Sequence, residues 1–379
     1  MMNVKASVVI GGDFAPVNIN EDALIKGDLK SVFNDLMPIL SNSDFNVFNL
    51  ECPVLDEFSF MEKFGPKLKS SSHVLNHIGN GFIDCVGLAN NHIMDYGEVG
   101  LKSTIKACLD NDILFFGAGN NLDSAREVKK VSINGIVVGF LGIAEQEFSI
   151  ATSNSYGANP LEPIDNYETI KACRSECDFL VVFFHTGNEQ YEYPSPRLKK
   201  TSHFLLNAGA DLVLCQHSHC VGTYEKVGDK HIVYGQGNML FDFHNNMKGW
   251  NEGMLIKLDF INNGNVELDF IPIYQTPGEI GVKLMPENKS KDFIDDFFER
   301  SKIVYDDNAL QIKWNEYCDT VSSRYLSDLL FPYNRYGSWI IRKFLLADKI
   351  INSRAKALLI NMFRCEIHRD VVVNILKRK

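Results

Sequence analysis

Long apolar runs, paired cysteines and surplus positive charge are what this 379-residue sequence lacks. No uninterrupted apolar stretch reaches the ~18 residues that a membrane-spanning helix needs. The opening MMNVKASVVIGGD enters a strand-like run without the basic segment and apolar core of a signal peptide. Neither secretion nor membrane spanning is expected. The nine cysteines are odd in number and scattered through apparent strands and helices, as at Cys85, Cys108 and Cys215. That argues against a disulfide framework and for buried thiols in a reducing cytosol, so a cytoplasmic location is expected. Cys173 and Cys177 lie on one apparent helix with no second cysteine pair or matching histidine nearby, which leaves a zinc set incomplete. Gly117-Ala118-Gly119 lacks the Lys-Ser/Thr that completes a phosphate loop and reads as a turn after a strand. A net charge of −10 argues against a general nucleic-acid binder. The 45% apolar and 23% charged composition supports one large core or two smaller ones.

What is present is a pattern of strand ends. Six short apolar runs close on a residue that can bind a metal or carry a proton: VVIGGD at Asp13, FNVFNLE at Glu51, FIDCVGLANNH at Asn91 and His92, FLVVFFH at His185, DLVLCQHSH at His217 and His219, and HIVYGQGN at Asn238. Such runs, bounded by Gly or polar residues, read as buried strands, and ligands of open α/β sheets collect beyond the carboxyl ends of strands. One metal-centred site is expected.

From Val4 to about Tyr274, strand-like and helix-like segments alternate. Residues 101–111 and 166–177 have helical spacing, and Pro194 to Ala208 reads as a helix after its prolines, with Gly209 as its stop. INGIVVGFLGI and YEKVGDKHIVYG read as hairpins, the second turning at Gly228-Asp229, and GMLIKLDFI and NVELDFIPIY are split by Asn262-Asn263-Gly264. Helical crossovers early and hairpins late predict a mixed sheet, or two sheets face to face between helices. After Pro277 the periods become helical, so residues 1–276 form the ligand-bearing domain and 277–379 a helical extension. Residues 335–379 hold eleven Lys and Arg against Asp348, Glu366 and Asp370, about +8. Trp339, Ile340, Phe344, Leu345 and Leu346 beside Arg342, Lys343 and Lys349 could lie on an anionic membrane, cap the core or form a subunit interface. Core packing or a homo-oligomer is the preferred reading, and membrane association the lesser one.

The chemistry follows from the residue types. Hydrolases that use two divalent cations draw carboxylate, imidazole and amide ligands from several strand ends, with one bridging oxygen and a water between the metals as nucleophile. Asp13, Glu51, Asn91, His185, His217 and His219 supply that set, and the H-x-H pair can aim its rings at neighbouring metal positions if the chain turns there. His92, beside Asn91, is free to act as general acid, since an imidazole with its ordinary pKa of ~6.5 can donate a proton near neutral pH. His244 and the stretch around Trp250 read as a surface loop at the rim.

The ordered set GGDF, NLECP, LANNHIMDYG, FHTGNEQYEY, GADLVLCQHSH and YGQGNMLFD resembles the CapA-type capsule or poly-gamma-glutamate synthesis proteins, a divergent branch of the calcineurin-like metallophosphoesterases. The likeness covers roughly residues 4 to 245. It implies a four-layer α/β/β/α sandwich with a C-terminal helical extension. It also implies a metal-dependent, phosphoesterase-like hydrolase tied to capsule, exopolysaccharide or poly-gamma-glutamate synthesis, or alternatively a non-catalytic accessory protein that keeps the metal pocket. Residue by residue it assigns Asp13, Glu51 as the bridge, Asn91, His185, His217 and His219 to metal, and His92 to acid catalysis. Asp95 could orient His92, and Glu189, Tyr191 and Asn238 match pattern positions read here as substrate-binding. Two departures from the wider superfamily matter. Ala15 stands where D-x-H has its histidine, and Glu51 is one methylene longer than the usual aspartate. One firm and one weaker divalent-metal position (Mn, Zn or Fe) are therefore expected. Partners would be a phosphorylated or polymeric capsule-type substrate and a synthase or second copy bound through the C-terminal helices. Secreted or anchored members of the family carry an N-terminal membrane segment not seen in this sequence.

Overall fold

The computed structural model describes residues 4–57, 65–79, 81–243, 247–261, 265–330, 335–344, 353–364 and 368. His244, the turn at Asn262-Asn263-Gly264, Leu345, Leu346, Lys349 and the helical period over 369–379 lie outside the described residues. By compactness the chain divides into Met1–Gln311 and Ile312–Lys379.

The first unit is built on sixteen strands among the described residues. They are β1 (Val4–Ala15), β2 (Phe45–Leu50), β3 (Cys85–Gly87), β4 (Leu114–Phe116), β5 (Ala118–Gly119), β6 (Lys129–Ile133), β7 (Ile136–Ala144), β8 (Gly157–Ala158), β9 (Phe179–His185), β10 (Leu212–Gln216), β11 (Tyr224–Val227), β12 (Lys230–Val233), β13 (Asn238–Phe241), β14 (Glu252–Ile261), β15 (Val266–Gln275) and β16 (Val282–Leu284). The first sheet runs β16-β15-β14-β1-β2-β3-β4, with β13 also pairing β1; the second runs β11-β12-β10-β9-β7-β6, and β5 and β8 form a small ribbon. Strands β1 to β4 are parallel, as are β7, β9, β10 and β12, while the late hairpins are antiparallel. With helices on both outer faces, this is a four-layer α/β/β/α fold.

Side-chain alternation explains the layers. In β1, Val8 and Ile10 face the core between the sheets and Val9 faces the helices beyond. That is the period of two of a strand. In β9, Val181 and Phe183 enter the inter-sheet core while Val182 and Phe184 enter the opposite one, so FLVVFFH reads as a continuous apolar run because both faces are covered. Between the sheets Phe116, Phe140 and Phe183 pack with centroids 5.1 to 6.3 Å apart, each pair adding about 0.5–1.5 kcal/mol beyond its buried area. Leu24, Phe33, Leu75 and Leu101 close the outer face of the first sheet, and Ile170, Leu198 and Leu205 that of the second.

Helices fall at Gly97–Asp110, Pro163–Cys173 and Pro196–Ala208. Gly209, at φ 141°, stops the last of these and gives its N–H to the Leu205 and Leu206 carbonyls. Of the cysteines described, eight are free and seven of those are buried. The change after Pro277 is not wholly helical: Val282–Leu284 extends the first sheet, and the helix Glu287–Ser301 places Phe297 beside Val221 and Met254. The second unit, from Ile312, takes most of the helix Asp307–Leu330 and the helices Arg335–Lys343 and Ser353–Arg364. Among the described residues no helix is long and apolar enough to cross a membrane.

Candidate metal centre

The parallel strands of both sheets carry their ligand-type residues to one end of the sandwich. Asp13 lies near the end of β1, where the register shifts on both sides of it, as bulges do near functional sites. Gly12 lets this happen, because a Cβ there would sit 2.1 Å from the Gly237 carbonyl oxygen. Glu51 follows β2 directly, its N–H bound to the Phe14 carbonyl at 2.9 Å. After β3, Asn90 donates to the Leu50 carbonyl (2.8 Å) and accepts from the His92 N–H (3.1 Å), which fixes the loop that holds Asn91 and His92. His185 ends β9. Beyond β10, His217 and His219 adopt φ of 91° and 52°, a left-handed region that costs a non-glycine residue of order 1–3 kcal/mol. This is the turn the H-x-H spacing requires. The His217 N–H is held there by Asp13 Oδ2 at 2.9 Å.

Two groups of ligand atoms result, each within 4.8 Å of one another: Glu51, His185 and His217, and Asp13, Glu51 and His219. Glu51 belongs to both. Its Oε1 lies 3.3 Å from His185 Nε2 and 3.9 Å from His219 Nε2, yet neither carboxylate oxygen meets a hydrogen-bond donor in good geometry. Asn91 Oδ1 is 3.0 Å from His185 Nε2, which brings an amide oxygen to the first group. In the second, His219 Nδ1 lies 2.9 Å from Asn238 Oδ1, so the ring turns its other nitrogen to the cluster.

The electrostatics fit a cation. Burial pushes the Asp13 carboxyl up to about 7, and the Glu51 carboxylate adds to the rise. Burial pushes Glu51 up to about 8, with His92 opposing the rise and Glu189 adding to it. Burial also lowers His185, and lowers His219 to about 3, leaving both rings neutral at pH 7. Among the described residues the ion-pair partners of Asp13 and Glu51 are imidazoles only. Two buried carboxylates among neutral rings lack a counter-charge, and the donor set of oxygens and imidazoles suits Mn, Fe, Zn or Co alike. These buried groups could hold a metal ion.

The remaining predicted residues surround this cluster. Asp95 Oδ2 takes His92 Nδ1 at 2.7 Å and the Leu68 N–H at 2.7 Å, so it faces His92. Asn238 opens β13 rather than ending a strand, and pairs with Asp13 in register. Its amide is engaged at both ends, on His219 and on the Trp250 carbonyl at 2.8 Å. Glu189 is exposed at the rim, and the buried Tyr191 ring packs on Tyr193. Trp250 is no surface residue: at 6% exposure it packs against His219 with centroids 4.4 Å apart and donates Nε1–H to the Phe241 carbonyl.

Two site residues escape the strand-end reading. Asn49, buried in β2, donates Nδ2–H to Asp13 Oδ1 at 2.7 Å and lies 3.3 Å from His185 Nδ1. It tethers ligands from both sheets. Its signal was in the sequence, since a polar residue two before Glu51 shares the same strand face, but the apolar run FNVFNLE hid it. Glu145, beyond β7, accepts from Thr186 at 2.9 Å and steadies the segment after His185.

Fold and site together define an α/β/β/α protein with a buried Asp/Glu/His pocket at its strand ends. The family model for "Bacterial capsule synthesis protein PGA_cap" matches residues 7–243, and the chain belongs to that family. It is 28% identical over 283 residues to capsule biosynthesis protein CapA of Bacillus anthracis, covering 72% of this chain and 68% of that protein. It is 27% identical over 253 residues to PGA biosynthesis protein CapA of Bacillus subtilis (strain 168), covering 64% of each chain. The chain thus spans about two thirds of the length of these relatives. Among solved structures, a hypothetical protein from Thermus thermophilus aligns with 74% of this chain and 100% of its own, at 14% identity and a TM-score of 0.45.

Proposed function

We propose that the chain is a metal-dependent, phosphoesterase-like hydrolase that acts on a phosphorylated or polymeric substrate of capsule-type synthesis. The observation that carries this reading is the sharing of Glu51 by two ligand groups while both its buried oxygens lack a donor. Glu51, His185, His217 and Asn91 would hold the tighter cation, and Asp13, Glu51 and His219 the weaker one. Bound divalent cations supply Lewis-acid polarisation and lower the pKa of a coordinated water. The protein's own part is orientation and proton delivery. Asp95 fixes the His92 ring through Nδ1, so Nε2 is the nitrogen that hands a proton to the leaving oxygen as the ester bond breaks. Asn238 and Trp250 hold His219, Asn49 holds Asp13, and Glu189 meets substrate from the rim.

His92→Asn is expected to slow hydrolysis of a chromogenic phosphodiester by roughly 10²–10⁴-fold with metal content unchanged. Loss of metal together with turnover would remove the proton-donor role. A second reading draws on the family's description as a synthesis protein: an accessory factor whose metal pocket binds polymer or a synthase. Polymer production that survives the loss of turnover but not the loss of metal would favour it.

A further inference from the structure

We propose that the C-terminal helices dock this protein on an anionic lipid surface. In the helix Arg335–Lys343 and the residue that follows, Tyr336, Trp339, Ile340 and Phe344 are 83%, 54%, 44% and 58% exposed. At 100° per residue they fall on one stripe about 140° wide. Lys343 lies within the stripe, its Nζ 4.5 Å from the Trp339 ring centroid. Arg342 on the flank directs its hydrogen bonds inward, to Ser327 and Asp328 of the preceding helix, which leaves the aromatic stripe facing outward. In the helix Ser353–Arg364, Leu358, Ile360 and Phe363 are each more than half exposed.

Charge decides what fits this surface. Residues 335–379 carry eleven Lys and Arg against three acids in a chain of net charge −10. Two such tails facing each other would repel. A nucleic acid would suit the charge and leave the aromatic and aliphatic groups unused. An anionic bilayer uses both: Trp, Tyr and Phe enter the headgroup boundary while Lys and Arg meet lipid phosphates. With no described helix able to span a membrane, the segment would lie on the surface.

The test is flotation of the full chain with vesicles of phosphatidylcholine alone or mixed with phosphatidylglycerol. The wild type should float only with the anionic vesicles and be released by high salt. The triple variant Trp339→Ala, Ile340→Ala, Phe344→Ala should lose binding by roughly tenfold or more, and Lys343→Glu by several-fold. Circular dichroism should be unchanged in both, because the altered groups are exposed. A blue shift of fluorescence on adding anionic vesicles should vanish in Trp339→Phe. Equal flotation of wild type and triple variant, or flotation with neutral vesicles, would overturn the proposal. So would an oligomer in light scattering that the triple variant abolishes without any vesicle binding, since the stripe would then be a contact between copies.

Discussion

The two halves of the ligand cluster are built differently around the carboxylate they share. On the His185 side, two strand ends of the second sheet supply His185 and His217, and Asn91 brings an amide oxygen to 3.0 Å from His185. On the Asp13 side there are three groups, with His219 braced by Asn238 and packed on Trp250. One half has more donors and the other has better-braced ones. Ala15, two residues after Asp13, has no ligand atom to add on the Asp13 side. Ligand number should set the order of affinity, so the His185 side should fill first.

Removing the shared group tests this most severely. Glu51→Gln should abolish cation binding in both halves and reduce hydrolysis to background. It should also leave the metal-free protein at least as stable as wild type at pH 8, because it removes a buried carboxylate with no donor. Calorimetric metal titration and thermal melts would show both effects. A smaller effect is expected from Asn49, which braces both halves. Asn49→Ala should weaken cation affinity by roughly 10–100-fold, as loss of an outer-shell partner does, and Asn49→Asp should not restore it, since a carboxylate has no N–H to offer Asp13. An unchanged binding isotherm would make Asn49 a packing residue only.

The pH dependence should be gentler, and its sign is fixed. In the metal-free protein Asp13 and Glu51 bind protons up to about pH 7 and 8, whereas unfolded carboxyls release theirs near pH ~4. Below pH ~6.5 the neutral His185 and His219 rings oppose this, since unfolded imidazoles take up protons there, so the native state holds more protons, and stability falls with rising pH, from about 6.5 to 8. A saturating divalent cation, which takes the place of those protons, should flatten or reverse the slope. Chemical denaturation at several pH values with and without manganese would measure it.

Much of this arrangement was legible because strand ends carry their own signal. An apolar run that closes on Asp, Glu, Asn or His needs only a parallel sheet to become one pocket, and the fold brings Asp13, Glu51, Asn91, His185, His217 and His219 together as that rule requires. The bracing residues were harder to see. Asn49 sits inside an apolar run, Asn238 starts a strand rather than ending one, and Trp250 follows a Gly-Asn-rich stretch that reads as surface. Each acts through a partner far away in sequence, and composition does not record such pairing. The strand at Val282–Leu284 was missed because three residues are too few to show a period.

The central claim is that Glu51 joins two unequal cation positions, and metal stoichiometry tests it most directly. Elemental mass spectrometry after manganese loading and dialysis would be run on wild type, Asp13→Asn, the double variant His185→Ala, His217→Ala, and Glu51→Gln. The account predicts that Asp13→Asn keeps the tightly held cation, that the double variant loses it, and that Glu51→Gln holds none. Metal retained by Glu51→Gln, or lost equally from Asp13→Asn and the double variant, would contradict it.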